Sequence, residues 1–486
     1  MRQSACLLLV LVLSGAACAT NPVSGKRQVS LMSEAEEAAI GQQQDAEVRR
    51  EMGVYDDREL QRYVSDIGLE IARKSHRPNL NWTFTIVDSS AINAFALPGG
   101  YVYITRGIMA YLDDESELAG VLGHEIGHVT ARHAAQAYTR QAEANFGLAV
   151  LGIFVPGAQP FTGLGSSGAS VLFLKNGREA EIEADRLGVE YGSGAGYDPE
   201  GVPRFLATLA RVDALSTRGV PNWLSTHPAS GARVAKAEPV AAKFASSEAK
   251  TVNRNEYLEH IENLLVGDSP KDGIVHGNEF LHPLLRIGMT FPEGWEITNA
   301  AEAVMAQEPG TQHFMVLQEV SAGLRQGYGS QAGRSIGDVA VESMKKSGYK
   351  VVDGSMQNIN GNEAHVGLYQ GTAKEVGKVM MRAAHIAINR QIYIVAGFAP
   401  EKEFPQVDKE ITPALQSFRY LTPQEAANVR PNRLRFYTVK QGDSWQSIAA
   451  RQGHNFVNAA TLAIMNDHEV SVQPQAGDRI KIIVEG

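Results

Sequence analysis

The sequence predicts an α+β multidomain protein with a mainly helical first domain that carries a small β-sheet, an α+β middle domain, and a further small domain at the end. Three observations predict this class. Apolar residues recur at helical spacing in the first half, strand-like runs with two helical stretches occupy 274–421, and a polar linker separates these from a last segment of about fifty residues. A chain of 486 residues with 44% hydrophobic content can bury the cores of roughly two to four such domains.

The charge balance argues against one class of partner. The formal net charge is −9 at pH 7, which is modest for a chain of this length. The sequence has no run of basic residues that would indicate a phosphate backbone as partner, so we predict no binding to nucleic acid.

The N-terminus has the pattern of an export signal. Arg2 precedes an apolar run at 6–13 that is too short to span a bilayer, and small residues follow at 14–17. We therefore predict a signal peptide at 1–17 and an exported, periplasmic protein. Cys18 stands where a bacterial lipoprotein carries its acylated cysteine, which predicts a lipid anchor to the outer membrane.

A different cleavage stays open in the same residues. Ala17 and Ala19 satisfy the small-x-small rule of ordinary signal peptidase, and Gly15 stands where lipoprotein signals usually have leucine. Cys6 is removed with either signal. At most Cys18 then survives, so no intramolecular disulfide can form.

Helices and then two strands follow the export signal. Ser33 and Glu36 match a capping box at the start of a helix, and a second apolar stripe spans 60–71. Alternating apolar residues predict a strand at 82–86, and the run at 101–105, after a Pro-Gly-Gly turn, predicts its neighbour. These elements are predicted to form the core of the first domain.

The stretch at 113–133 carries the strongest indication of chemistry. His124 and His128 lie four positions apart, so on a helix both imidazoles can reach one metal ion. Acidic residues at its start and apolar residues at helical spacing predict that helix, on which Glu125 points toward a water beside the ion. The alternative is a chance match, a surface helix with two ordinary histidines.

A hydrolytic zinc site usually needs a third protein ligand. Downstream, Glu181 and Asp185 share a helical face, so Glu181 can bind the metal while Asp185 accepts the N–H of a ligand imidazole. The alternative is an acidic, solvated helix face, to which Glu179, Glu183 and Glu190 would also belong.

At these residues the chain resembles the gluzincin metallopeptidases that include HtpX, BepA and the CaaX prenyl proteases. Four stretches before residue 266 match the family in order: 93–107, 124–128, 178–185 and 225–234. The resemblance implies a peptide-bond hydrolase that acts on protein or peptide substrates and holds one Zn²⁺ per chain. It also implies an edge strand beside the metal that pairs with extended substrate backbone, for which the run at 101–105 is the candidate.

The same resemblance assigns roles to single residues. Glu125 is implied as the catalytic base and Arg233 as an orienting group. His227 is implied to face the metal, either as a donor to the developing oxyanion or as a cap on the zinc at rest; a structural histidine before proline is the alternative. The resemblance implies three zinc ligands, namely His124, His128 and Glu181.

The segment at 145–174 is apolar and glycine-rich, and some members of the resembling family have membrane-spanning helices here. Its first run breaks at Pro156 and Gly157, well short of the roughly 20 residues that a spanning helix needs. A lid over the cleft and a buried helical hairpin both stay open as interpretations.

The middle domain, 274–421, shows strand-like runs with helical stretches at 336–346 and 403–417. It contains no apparent nucleophile arrangement or ligand cluster, so docking of a substrate or partner is its predicted role. Its histidines occur singly and are predicted to be surface residues or hydrogen-bonded core residues: His276, His282, His313, His365 and His385.

The last stretch resembles the LysM module, a β-α-α-β fold that binds N-acetylglucosamine polymers such as peptidoglycan. Tyr437 begins the first strand motif, Gly442 and Asp443 form a turn, and Gly477 precedes the last strand. Trp445 departs from the usual pattern. Peptidoglycan binding and a purely structural use of the fold therefore both stay open.

Together these features predict a zinc endopeptidase of the bacterial cell envelope that cleaves misfolded or envelope proteins. The competing hypothesis is a LysM-tethered chaperone or adaptor with a capped or vestigial zinc site. The predicted boundaries are 1–17 for the signal peptide, 18–267 for the peptidase domain, 274–421 for the middle domain and 434–486 for the LysM-like domain.

Overall fold

The structure is a computed structural model, and its described residues form two compact units. One unit combines the chain up to Val266 with Arg433–Val484, and the other comprises Gly267–Asn432 with the last two residues. Among the described residues, no helix is both long enough and apolar enough to cross a membrane. The description covers 17–140, 177–215, 227, 230–245, 251–300, 303–326, 328, 333–373, 376–389, 391–451 and 457–485.

The first unit opens with a strand pair and is then mainly helical. Ser33 accepts a hydrogen bond from the Glu36 backbone N–H, and the Glu36 carboxylate accepts one from the Ser33 N–H at 2.7 Å, which confirms the predicted capping box. Residues 133–140 are also helical. The named elements are β1 (Ala17–Thr20), β2 (Arg27–Ser30), α1 (Glu34–Glu51), α2 (Arg58–Ala72), β3 (Thr83–Val87), β4 (Ala94–Leu97), β5 (Tyr101–Thr105), α3 (Arg106–Met109), α4 (Glu115–Thr130), α5 (Arg178–Gly194), α6 (Gly201–Leu215), α7 (Ser230–Phe244) and α8 (Arg254–Ile261).

The small sheet of this unit has the order β3-β5-β4. The strands β3 and β5 pair in parallel from Thr83 opposite Tyr101 to Val87 opposite Thr105. They are therefore neighbours, as predicted. The prediction that residues 101–105 form an edge strand is wrong, however, because β5 lies in the centre of the sheet. The short strand β4, antiparallel to β5, forms the edge on that side.

Helix α4 is the centre of the first unit, since every one of its residues is buried. Asp114 caps its N-terminus by accepting a hydrogen bond from the Glu117 N–H at 2.9 Å. Apolar residues of α2, the sheet and α8 pack around it in one core that includes Val64, Ile104, Leu122 and Ile261. A helix buried on all sides holds its polar side chains in a fixed, dry environment.

The second unit is built on antiparallel strands with helices on both faces of the larger sheet. Strands β12-β13-β14-β15-β11-β10-β9 form that sheet, and β16-β8-β7-β6 form a smaller one. This confirms the predicted α+β class and both predicted helices. The elements are β6 (Ile274–His276), β7 (Glu279–His282), β8 (Ile287–Thr290), β9 (Glu296–Ala300), β10 (Ala303–Gln307), β11 (Phe314–Glu319), α9 (Ala322–Arg325), α10 (Ile336–Lys346), β12 (Lys350–Ile359), β13 (Asn362–Ala373), β14 (Gly377–Ile388), β15 (Gln391–Pro400), α11 (Phe404–Gln416), β16 (Arg419–Tyr420) and α12 (Pro423–Asn428).

The last segment folds in the predicted β-α-α-β order and belongs to the first unit. It contains β17 (Arg433–Thr438), α13 (Trp445–Arg451), α14 (Ala459–Met465) and β18 (Arg479–Val484), with β17 and β18 antiparallel. Trp445 is buried in this segment and donates its indole N–H to the Val472 carbonyl at 2.7 Å. Lys481 of β18 is fully buried, and its ammonium donates to the Leu112 carbonyl at 2.6 Å, next to the start of α4.

Candidate metal centre

Helix α4 presents His124 and His128 on one face, one turn apart, as their spacing predicts. Their Nε2 atoms lie 3.0 Å from each other, and both side chains are buried. Two imidazole nitrogens this close cannot both carry a proton, so at least one lone pair points into the space between them. Burial and then the neighbouring His124 and His133 push the pKa of His128 well below its usual value, which keeps its ring neutral.

Helix α5 brings an acidic pair to the same place. The Glu181 carboxylate lies 3.6 Å from His124 Nε2 and 3.5 Å from His128 Nε2, and it is fully buried. The close approach depends on glycine in α4. A Cβ added at Gly123 would lie 3.1 Å from the Cα of Gly188, so a side chain there would push the two helix backbones apart by a few tenths of an ångström.

Asp185, one turn after Glu181, orients the first imidazole. Its Oδ1 lies 2.9 Å from His124 Nδ1, so the carboxylate fixes the ring tautomer that leaves Nε2 free to bind a cation. Arg233 donates to both oxygens of Asp185, at 2.8 and 2.6 Å. Burial opposes ionisation of Asp185, but the bonds from Arg233 and His124 outweigh it and lower the pKa to about 2.

Arg233 also connects the acidic pair to His227. Its Nη1 lies 3.0 Å from the Glu181 carboxylate and donates to the His227 carbonyl at 3.3 Å. The guanidinium is almost completely buried, and its single positive charge offsets part of the negative charge of two buried carboxylates. Arg233 thus contacts Glu181, Asp185 and His227, and its orienting role stays a prediction.

His227 joins the same cluster. Its Nδ1 lies 3.0 Å from Glu181 Oε2 and 3.4 Å from His124 Nε2, while its Nε2 lies 3.7 Å from Glu125 Oε1. Burial opposes protonation of the ring, but the carboxylates of Glu181 and Glu125 outweigh it and raise the pKa of His227. His227 therefore lies close enough to Glu181 and His124 to bind the same metal ion.

Glu125 lies beside the cluster without belonging to it. Its Oε1 is buried and has no hydrogen-bond partner among the residues that the structure describes. Burial raises the pKa of this carboxyl, against the lowering effect of His227 and His124. A buried oxygen that is left open next to a ligand cluster is suited to accept a proton from a bound water.

The donor set fits a transition-metal ion such as zinc. His124, His128, Glu181 and His227 each offer one ligand atom, and these atoms all lie within 4.8 Å of one another. Two neutral imidazoles and a carboxylate are common zinc ligands. A third imidazole would raise the number of protein ligands to four, which fills a tetrahedral site. These four donor atoms are therefore placed to bind one cation.

Sequence reasoning missed one pair at this centre, His133 and Glu183. His128 Nδ1 lies 2.8 Å from His133 Nδ1, and His133 Nε2 lies 3.2 Å from the Glu183 carboxylate. If His128 offers Nε2 to a metal, its Nδ1–H donates to His133, whose Nε2–H then donates to Glu183. Glu183, assigned above only to a possible solvated face, therefore fixes the second imidazole as Asp185 fixes the first.

The turn that places His133 follows from one residue. Arg132 adopts a left-handed backbone with φ 58°, which ends α4 and folds His133 back toward His128. Glu37 holds the Arg132 side chain with a bond of 2.8 Å, and the Met32 carbonyl accepts a second bond at 2.7 Å. The only sequence indication was one further histidine five residues after His128.

The predicted lipid attachment site, signal peptide and apolar segment fall on residues at the ends of the described ranges or outside them. Cys18 belongs to β1, where its backbone pairs with Val29, but its side chain is not described. The proposed signal peptide before residue 17 and the apolar segment at 145–174 lie outside the described residues.

A buried helix with HExxH spacing, joined by a glutamate and an aspartate one turn apart on a later helix, is the arrangement typical of the metallopeptidase class. The comparisons agree with this class. Residues 58–241 match peptidase family M48, and 437–482 match the LysM domain. The chain therefore contains an M48 peptidase domain and a LysM domain, which confirms both resemblances.

Two curated relatives are similar to part of this chain. The chain is 30% identical over 226 residues to the beta-barrel assembly-enhancing protease of Escherichia coli K12, which covers 45% of this chain and 46% of that protein. It is 32% identical over 186 residues to the mitochondrial metalloendopeptidase OMA1 of Arabidopsis thaliana, with 38% of this chain and 36% of that protein covered. The aligned region thus spans less than half the length of these relatives.

Proposed function

We propose that this protein is a zinc-dependent endopeptidase of the bacterial cell envelope that hydrolyses peptide bonds of protein substrates. One observation carries the proposal: His124, His128 and Glu181 converge within ligand distance, and beside them lies Oε1 of Glu125, which accepts no hydrogen bond from a described residue. Of the two relatives reported above, the bacterial one is named a protease and the mitochondrial one a metalloendopeptidase.

The chemistry divides between a metal and the chain. A zinc ion held by His124, His128 and Glu181 would supply Lewis acidity, polarising the scissile carbonyl and lowering the pKa of a water to roughly 7. Glu125 accepts the water's proton at its open oxygen and delivers it to the leaving amine. His227, once turned away from Glu181, can donate to the developing oxyanion.

The envelope location is part of the same proposal. We propose export by the N-terminal signal, a lipid anchor on Cys18 that holds the protein at the outer membrane, and peptidoglycan as partner of the LysM domain. Support comes from the apolar run before Cys18 and from the LysM match at 437–482. Labelling with a fatty-acid analogue tests the anchor, because Cys18→Ser should abolish incorporation if the cysteine is acylated.

A second function is favoured by one specific observation. His227 lies at ligand distance, so four protein groups could fill every position of a tetrahedral metal. Such a closed centre would suit a LysM-tethered chaperone or adaptor that binds envelope proteins without cleaving them. Cleavage by the wild-type protein separates the two proposals.

The metal content gives the first prediction. We expect elemental analysis of the purified protein to find about one zinc per chain, and we expect its loss when His124, His128 and Glu181 are replaced together by alanine. Glu179→Ala is the matched control, because Glu179 lies on the same helix with an exposed side chain and should keep the zinc. Stoichiometric zinc in the triple variant would rule out the assigned ligands.

The missed pair gives a second prediction. Glu183→Gln and His133→Phe each remove the chain of hydrogen bonds that orients His128, so zinc affinity should fall by about 10-fold to 100-fold. Competition with a chromophoric chelator measures this change. Glu179→Gln makes the same chemical change on the same helix, without a contact to His133, and should leave the affinity unaltered. Equal affinities in all three variants would show that the pair has no orienting role.

A further inference from the structure

Three side chains of the second unit lie in one row across neighbouring strands. Met356 of β12 is directly opposite His365 of β13, and His365 is directly opposite His385 of β14. Residues that face each other across antiparallel strands project from the same side of a sheet. The row faces α10, because a Cβ added at Gly337 of that helix would lie 3.3 Å from the His365 ring.

Both histidines are buried with at least one ring nitrogen that has no hydrogen-bond partner among the described residues. His385 is fully buried, and neither of its ring nitrogens has a hydrogen-bond partner among the described residues. His365 is buried too, and its Nδ1 forms no hydrogen bond with any residue that the structure describes. The expectation of a hydrogen-bonded core residue is therefore wrong for His385, and for His365 it fails at Nδ1. Because burial of an unpaired polar nitrogen is costly, such a pair calls for a ligand.

An open cavity reaches this row. It has a volume of about 730 Å³, and both Met356 and His365 line it together with residues of α10. Glycine makes room for the ring, since a Cβ at Gly354 would lie 2.8 Å from His365 Cε1. Met356 is half exposed, so its flexible side chain can move its thioether toward the ring.

We propose that Met356, His365 and His385 form a binding site for a monovalent copper ion, separate from the peptidase centre. A thioether and two imidazoles are soft to intermediate donors, a set that selects Cu⁺ over hard cations such as Mg²⁺ and Ca²⁺. Burial lowers the pKa of both imidazoles, that of His385 to about 3, and this keeps their lone pairs available at neutral pH. No carboxylate belongs to the row.

The test is a titration of the zinc-loaded full-length protein with Cu⁺ under anaerobic, reducing conditions, in competition with bathocuproine disulfonate. Wild type should bind one more Cu⁺ per chain than His365→Phe/His385→Leu, and Met356→Leu should weaken that site at least about tenfold. The peptidase centre and Cys18 are common to all variants, so only differences between variants count. Zinc content measured after titration should remain unchanged.

Controls are available in the same unit. Met305 is a half-exposed methionine on β10 of the same sheet, and Met305→Leu should leave Cu⁺ binding unaltered. The partly exposed His276 serves likewise through His276→Asn. If the double variant fails to fold by circular dichroism, the half-exposed Met356 still decides the question through Met356→Leu. Equal Cu⁺ affinity in wild type and Met356→Leu, or equal stoichiometry with a folded double variant, would overturn the proposal.

Discussion

Replacement of Glu125 by glutamine should leave zinc in place yet slow the cleavage of an unfolded protein such as casein by about 10²-fold to 10⁴-fold, the usual contribution of a general base. The amide has nearly the same shape as the carboxylate but cannot accept the proton of the attacking water. Because Glu125 stands outside the four ligand atoms that converge on one point, its loss should not release the metal.

The measurement compares cleavage rate and zinc content in the same preparation. Glu179→Gln again serves as the control, since its exposed carboxylate contributes nothing to the centre. Wild-type cleavage by Glu125→Gln would remove the base role. If the wild-type protein cleaves no substrate while it and Glu125→Gln suppress aggregation equally, the adaptor function gains instead.

The local part of this centre was predictable from sequence because its geometry is helical. His124 and His128 share a face of α4, and Glu181 and Asp185 share a face of α5, through the same four-residue spacing. Cross-element contacts have no such rule. The path from His128 through His133 to Glu183 depends on a left-handed residue at a helix end, which the sequence does not announce.

The rest of the fold shows the same division between local and long-range information. The run after the Pro-Gly-Gly turn correctly marked β5 as a strand, but the position of β5 inside its sheet depends on β4, a strand of four residues. In the second unit each histidine looks isolated along the chain. The register of β13 against β14 places His365 opposite His385, and register is set by the whole sheet.

His227→Ala should increase casein cleavage by roughly tenfold, a change of about 1.4 kcal/mol, while zinc stays bound. The structure gives the reason, because His227 Nδ1 lies 3.0 Å from Glu181 and 3.4 Å from His124 Nε2, inside the ligand set. The Arg233 guanidinium donates a hydrogen bond to the His227 carbonyl at 3.3 Å and so helps to keep the residue in place. Four protein ligands close a tetrahedral zinc site, and removal of one opens a position for water.

The same substitution tests the role that sequence left open. If His227 acts chiefly as an oxyanion donor, His227→Ala should instead lower the cleavage rate by about 10²-fold to 10³-fold, most clearly on short peptides, where transition-state stabilisation dominates. An unchanged rate with intact zinc would make the residue structural. The double variant Glu125→Gln/His227→Ala completes the design, because a gain that arises at this centre must disappear once the base is removed.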